Sequence, residues 1–290
     1  MYPPSIVIEA VLNGMLTGSI YALVALGLTL VYGVLHIINF SHGAMLAAAM
    51  FIVLSIHQKF GLDPYWQIVI LVPLMFAAGY LVQRYIIGPG SHGKDENVLL
   101  ITLGLSIVIE NVLLAIYRSD IRTINTSYSF DVFEVGPFIF SQARVFGLVA
   151  SILTAIVLWL FLSKTSIGRA IRAVSKEQLG ARLVGINVQK IFAITFGIGA
   201  ACLAVASCLL LPIFYVSPNV GNTFVLVAFT VVVLGGMGSI SGALIGGLFI
   251  GVIESLSGLF LGESLGQIGI FVTFILVLLF RPTGLFGAKA

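Results

Sequence analysis

Apolar residues recur along this chain in runs of about twenty, the length of helix that crosses the hydrocarbon of a bilayer. The runs fall at Ile6–Val31, Gly43–Ile56, Trp66–Ile87, Val98–Tyr117, Val145–Leu162, Ile191–Phe214, Thr223–Leu234, Ala243–Leu261 and Ile268–Phe280. They predict an all-α, polytopic transmembrane bundle of eight or nine spans. The ambiguous run is Thr223–Leu234, which is short enough to be re-entrant.

Charge is confined to the gaps between runs, and one gap stands out. Between Ser163 and Lys190 lie Lys164, Arg169, Arg172, Lys176, Arg182 and Lys190, against the single acid Glu177. The positive-inside rule places this interval in the cytoplasm. Counting outward from it puts Met1 outside, Arg118–Arg144 outside, and the tail with Arg281 and Lys289 inside. The outer loop is charge-neutral, with Arg118, Arg122 and Arg144 balanced by Asp120, Asp131 and Glu134, and it suits a small hairpin or cap. Within the basic interval Leu179, Leu183 and Ile186 recur at helical spacing, so a short amphipathic helix offers an apolar ridge to a partner.

Composition agrees with a membrane protein: 290 residues, 59% hydrophobic and 9% charged, with mean hydropathy +1.15. No polar interval is long enough to bury a core of its own, so residues 1–290 read as one membrane domain with a cytoplasmic segment at about 163–190. The net charge of +3 sits largely in that segment, which argues against nucleic acid as a partner and leaves the lipid bilayer as the surroundings. The first segment lacks a basic leader region and reads as a retained span.

Several chemistries are disfavoured. No G-x-x-x-x-G-K-[ST] occurs, so ATP is not hydrolysed by that route, and Gly236-x-Gly238-x-x-x-Gly242 misses the dinucleotide fingerprint and reads as a tight turn between spans. His36, His42, His57 and His92 lack metalloenzyme spacing, and no metal site is predicted. Cys202 and Cys208, six apart in one span, point to different faces and are read as packing residues. Gly14 and Gly18, then Gly238, Gly242 and Gly246, and finally Gly247 and Gly251 follow G-x-x-x-G spacing, which lets helices approach closely.

Polar residues inside apolar runs are the remaining candidates, because lipid does not solvate them. Glu9 suits the outer interface. Glu110 beside Asn111, and Glu254, are buried acids or pathway residues; acids of this kind also suit a stand-alone proton-coupled carrier. The segment His36-Ile-Ile-Asn-Phe-Ser-His-Gly43 is either a broken helix bordering a pathway, through Asn39, Ser41 and His42, or an ordinary cytoplasmic turn.

Taken together, NGMLTGSIYALVALGLTLVYGVLHIINFSHG (Asn13–Gly43), TLGLSIVIEN (Thr102–Asn111), IGRAIRAVSKEQLGARLVGIN (Ile167–Asn187), AFTVVVLGGMGSISGALIGGLFIGVIES (Ala228–Ser255) and LLFRPTGLFG (Leu278–Gly287) resemble the permease subunits of bacterial ABC importers for branched-chain amino acids, of the Leu/Ile/Val-type H kind. The resemblance spans nearly the whole chain. It implies a non-catalytic subunit of the inner membrane, working with a second related permease, two cytoplasmic ATPases that bind ATP and Mg, and an extracytoplasmic solute-binding protein; no cofactor belongs to this chain. It implies too that the basic interval couples to the ATPase through Gly168, Arg169, Arg172, Ala173, Ala181, Leu183, Gly185 and Ile186. Relatives of this architecture also import urea, short-chain amides or other amino acids. At Glu110 the family more often carries an uncharged amide, and Ser175–Gln178 is variable, so neither takes an assigned role.

Overall fold

The longest apolar run becomes the longest helix, α1 (Pro4–Leu35), which opens on a proline in its first turn, where the missing N–H costs nothing. It is apolar on every side and buried for most of its length, as expected of a helix at the centre of a bundle. The computed structural model describes residues 3–91, 94–136, 138–262, 265–281 and 284–286; Met1, His92 and Lys289 lie outside them.

After α1 come α2 (Ser41–Phe60) and α3 (Pro64–Val82), the latter continued by a π-helical turn at Gln83–Ile87 and by α4 (Gly88–Ser91). Then follow α5 (Asp95–Tyr117), a ribbon of β1 (Val132–Val135) and β2 (Phe138–Ser141), and α6 (Gln142–Lys164). The short helices α7 (Ser166–Lys176) and α8 (Gln178–Leu183) lead into α9 (Val188–Leu210), α10 (Val220–Gly235), α11 (Ile240–Leu261) and α12 (Gly266–Phe280). Among the described residues seven helices are long and apolar enough to span a membrane. The other two apolar helices, α10 and α12, rise only about 24 and 22 Å against a hydrocarbon core of about 30 Å. Nine apolar helices therefore stand where nine runs were read.

Glycine decides how they pack. A methyl on Gly14 would lie 2.7 Å from the Gly251 carbonyl oxygen and 2.8 Å from Ser255 Cβ, and Ser255 Oγ donates to the Ala10 carbonyl at 2.7 Å. Gly18, Gly247 and Gly251 extend this seam between α1 and α11, while Gly242 and Gly246 turn to α10 at Gly235 and Val231. The stripe read along α11 is thus two stripes for two neighbours. Gly238 departs from the sequence expectation of one continuous helical face: it lies before α11, at φ +87°. With Gly236 (φ +92°) it forms the tight turn expected between the two spans, and it abuts Gly33.

The ribbon and the basic helices lie at opposite ends of α1. Asn13 Nδ2 donates to the Ile139 carbonyl of β2 at 3.3 Å, and Ser175 Oγ of α7 donates to the Gly33 carbonyl. Twenty residues of helix, about 30 Å, separate Asn13 from Gly33. The neutral loop and the basic interval thus lie at opposite ends of this helix.

Candidate functional site

The basic interval folds into two helices because each N-terminus finds its own cap. Thr165 Oγ1 accepts from Gly168 N at 2.9 Å, a Glu177 carboxylate oxygen accepts from Leu179 N at 3.1 Å, and Asn187 Oδ1 accepts from Lys190 N at 3.0 Å, starting α7, α8 and α9 in turn. Helix α7 is strongly amphipathic: Ile171 and Val174 are buried while Arg169, Arg172 and Lys176 face outward. Gly168 lies against the carbonyls of Phe161 and Leu162, where a side chain would collide with backbone, and Arg172 donates to the Leu162 carbonyl. Ala173 is half-buried. A cavity of about 500 Å³, bordered by Thr29, Gly33, Trp159, Arg172, Ser175 and Leu244, lies behind α7.

Helix α8 closes with a glycine in the left-handed region. Ile186 N donates to the Ala181 carbonyl and Gly185 N to the Arg182 carbonyl, both at 3.0 Å, with Gly185 at φ +86°; this is the Schellman arrangement. It turns Ile186 back onto the core, beside the buried Ala181. The outward ridge therefore differs from the expected Leu179–Leu183–Ile186. It is Leu179, Leu183 and Val184, exposed at 66, 82 and 77%. Among the described residues the single ion pair is Arg122–Asp120 at 4.0 Å, so the basic residues around this ridge have no acidic partner among them.

The second candidate region is the break between α1 and α2. His36 ends α1 in the left-handed conformation (φ 57°), and the chain then runs extended. The His42 imidazole Nε2 lies 3.0 Å from the Val24 carbonyl oxygen, which sets the start of α2 level with a point eleven residues, about 16 Å, before the end of α1. The chain has turned back along the bundle, the geometry of the broken helix. Asn39 Oδ1 accepts from Ser41 N at 3.0 Å and from Ser41 Oγ at 2.6 Å, and Asn39, Ser41 and His42 are all buried. These three hold the break in shape. Ile38 and Phe40 take the alternate, exposed positions, which sequence reading missed because Ile37 and Ile38 are both apolar and only the burial alternates.

Among the described residues the N–H groups of Ile37, Ile38 and Asn39 donate to no protein acceptor, and Phe40 N reaches Thr102 Oγ1 of α5 at 3.4 Å. Non-helical backbone at membrane depth is tolerated where it meets water or protein. On α5, Asn111 Nδ2 bonds its own helix at Ile107 O (2.8 Å) and is exposed, on the same outward stripe as Gly104 and Val108; Glu110 is half-buried, 3.4 Å from Ser106 Oγ. Glu254 is elsewhere, facing the Tyr21 hydroxyl between α11 and α1. The structure thus joins the broken segment to α5 at Phe40 and Thr102, ties His42 to α1, and leaves Glu254 apart. Among the described residues no three metal-ligating side chains converge.

Residues 10–280 match the family described as branched-chain amino acid transport system / permease component. The chain belongs to that family. Within this permease family it is 35% identical to the high-affinity branched-chain amino acid transport system permease protein BraD of Pseudomonas aeruginosa, over 97% of this chain and 95% of that one. It is 33% identical to the corresponding LivH protein of Escherichia coli, again over 97% and 95%. More distantly, 27% identity over 75% of this chain relates it to the fructose import permease protein FrcC of Rhizobium meliloti, 62% of which is covered. The solved structure of PsaBC from Streptococcus pneumoniae in complex with Fab overlaps 94% of this permease and 92% of that chain at a TM-score of 0.47 and 14% identity.

Proposed function

We propose that the chain is the membrane-spanning subunit of an ATP-driven importer, translocating branched-chain amino acids delivered by an extracytoplasmic binding protein. The observation that carries this is the ridge of α8, three large apolar side chains held outward among cations with no acidic partner among the described residues, in a chain of the permease family. Such a surface is unfinished without a partner, and the partner in this reading is a cytoplasmic ATPase that supplies ATP and Mg. A second, related permease completes the pair. The exposed stripe of α5 with Gly104 and Asn111, and the bared backbone at Ile37–Asn39, support a pathway that this chain lines on one side only. The N-terminus faces outward and the C-terminus the cytoplasm.

Motion would pass through named contacts. Displacement of α8 moves α7, which is tied to α6 through Thr165 and Arg172 and to α1 through Ser175 and Gly33; the end of α1 then carries the broken segment with it. The cavity behind α7 gives room for a rigid-body shift. The test is to purify the tagged chain in mild detergent, identify the accompanying subunits by mass spectrometry, and cross-link a Leu183→Cys variant. Recovery of an ATPase and a second permease, with the cross-link made to the ATPase, is the expected result. Recovery of this chain alone, under conditions that keep a known ABC complex intact, overturns the reading in favour of an autonomous carrier.

A further inference from the structure

A second cavity, of about 720 Å³, opens between the basic helix α8 and the break after α1. Its walls come from the end of α1 and the residues after it, the π-helical turn, α4, α8, and the starts of α5 and α9. Arg84, Lys94, Arg182, Asp95 and Gln83 are among its lining residues. Leu35, Ile37, Ile87, Val98 and Phe192 line it as well, and the first four of these are buried.

Three features make this more than a solvated recess. Gln83 is only 5% exposed, yet its Oε1 finds no hydrogen-bond partner, which is costly unless something else supplies a donor. It stands at the first residue of the π-helical turn, a form that concentrates at functional sites. None of the three cations has an acidic partner among the described residues. The volume falls within the range of small-molecule sites, about 300–1,000 Å³, and the mixture of an apolar wall with a few polar groups is what such sites show.

The combination calls for a ligand carrying an anion, a hydrogen-bond donor and an apolar body. We propose that this cytoplasmic cavity binds an apolar α-amino acid after import, its carboxylate at Arg84, Lys94 and Arg182, its ammonium at Gln83 Oε1 and Asp95, and its side chain against Ile87, Val98 and Phe192. Because Arg182 and Gln178 belong to α8, while Gln83 and Asp95 belong to the α3–α5 side, an occupied cavity fastens the coupling helix to the body of the permease. Accumulated product thereby slows further import. The inference rests on the importer reading and deepens it.

The experiment uses the complete importer in proteoliposomes with the ATPase face outward and the binding protein with leucine enclosed. Leucine is then added outside, and ATP hydrolysis and transport are followed. Binding-protein-dependent hydrolysis before any outer leucine tests the importer reading alone, and its absence sinks that reading. With hydrolysis present, outer leucine is expected to lower it at least threefold. The carboxylate 4-methylpentanoate, lacking the ammonium, is expected to need at least tenfold more for the same effect. Gln83→Leu, and separately Asp95→Asn, are expected to relieve the inhibition while uninhibited transport stays within twofold of wild type. No inhibition in the wild type, inhibition unchanged in both variants, or equal potency of 4-methylpentanoate each overturns the inference.

Discussion

The seam between α1 and α11 and the surface of α8 treat apolar contact in opposite ways. At the seam Gly14, Gly18, Gly247 and Gly251 bring two backbones together so closely that a single methyl has no place. On α8 the side chains of Leu179 and Leu183 and the neighbouring Val184 are large and touch almost nothing. Close packing is how helices associate where lipid removes the hydrophobic drive, so the seam is finished within the chain. In water an exposed apolar ridge carries the full cost of solvation, and in the function proposed above a partner covers the ridge of α8. One region sets how two spans pack, and the other is left open at the surface.

The largest expected effect breaks the first half of this contrast. Gly251→Leu drives a side chain into the Gly14 carbonyl and the backbone of Gly18, which neither helix can yield. The penalty lies at or above the upper end of the range of about 1–3 kcal/mol for overpacking. Monodisperse protein recovered in detergent should fall to a small fraction of wild type; wild-type recovery and melting would show the seam to be loose. Next comes Leu183→Asp. It leaves the fold alone, since surface changes shift stability by only about 0.5 kcal/mol, but it is expected to cut substrate-stimulated ATP hydrolysis by the assembled importer at least tenfold. Stimulation at the wild-type level would make α8 a mere topogenic loop.

How far each region was legible in the sequence follows from what each depends on. Spans depend on local hydropathy, and all nine runs became helices, with ends moved by a few residues, as from Gly43–Ile56 to Ser41–Phe60. The glycine pattern is a helical spacing and was legible as packing, but which neighbour each glycine meets depends on how α10 and α11 turn, and spacing is silent on that. The α8 ridge was read to Ile186, whereas the φ of Gly185 reverses the chain one residue earlier. The break after His36 carried the polar signal of Asn39, Ser41 and His42. Its depth did not, because it is set by the bond from His42 to α1, eighteen residues back in sequence.

Gly185→Ala sharpens the contrast on a smaller scale. The residue has open space around it, unlike every glycine of the seam, so only its backbone angle resists substitution. Placing a Cβ at a positive φ costs about 1–2 kcal/mol. The expected outcome is a frayed end of α8, seen as faster hydrogen exchange at the Gly185-position and Ile186 amides, with stimulated ATP hydrolysis reduced two- to fivefold and recovery in detergent unchanged. Unchanged exchange at Ile186 would mean that the Schellman turn is not what aims the ridge.

The smallest effect asks whether the outer face resembles the seam or α8. There Asp63 starts α3, with Oδ1 accepting from Tyr65 N at 2.8 Å and Oδ2 accepting from the Tyr128 hydroxyl at 2.8 Å, and the Tyr65 and Tyr128 rings stack at 4.7 Å. These groups satisfy one another, so the outer loop belongs with the seam. Burial, and then the bond to Asp63, hold the Tyr128 phenol well above its usual range, which means that the fold favours the protonated form. Its contribution is therefore complete below the unfolded value of about 10 and is lost as pH climbs above it. Tyr128→Phe removes one hydrogen bond, worth about 0.5–1.5 kcal/mol, and should lower the melting temperature slightly at pH 8. Above pH of about 10 the difference from wild type should shrink, because the wild type loses there what the variant never had. A gap that instead widens with alkalinity would show that the protonated Tyr128 phenol bonded to Asp63 is not what the fold favours.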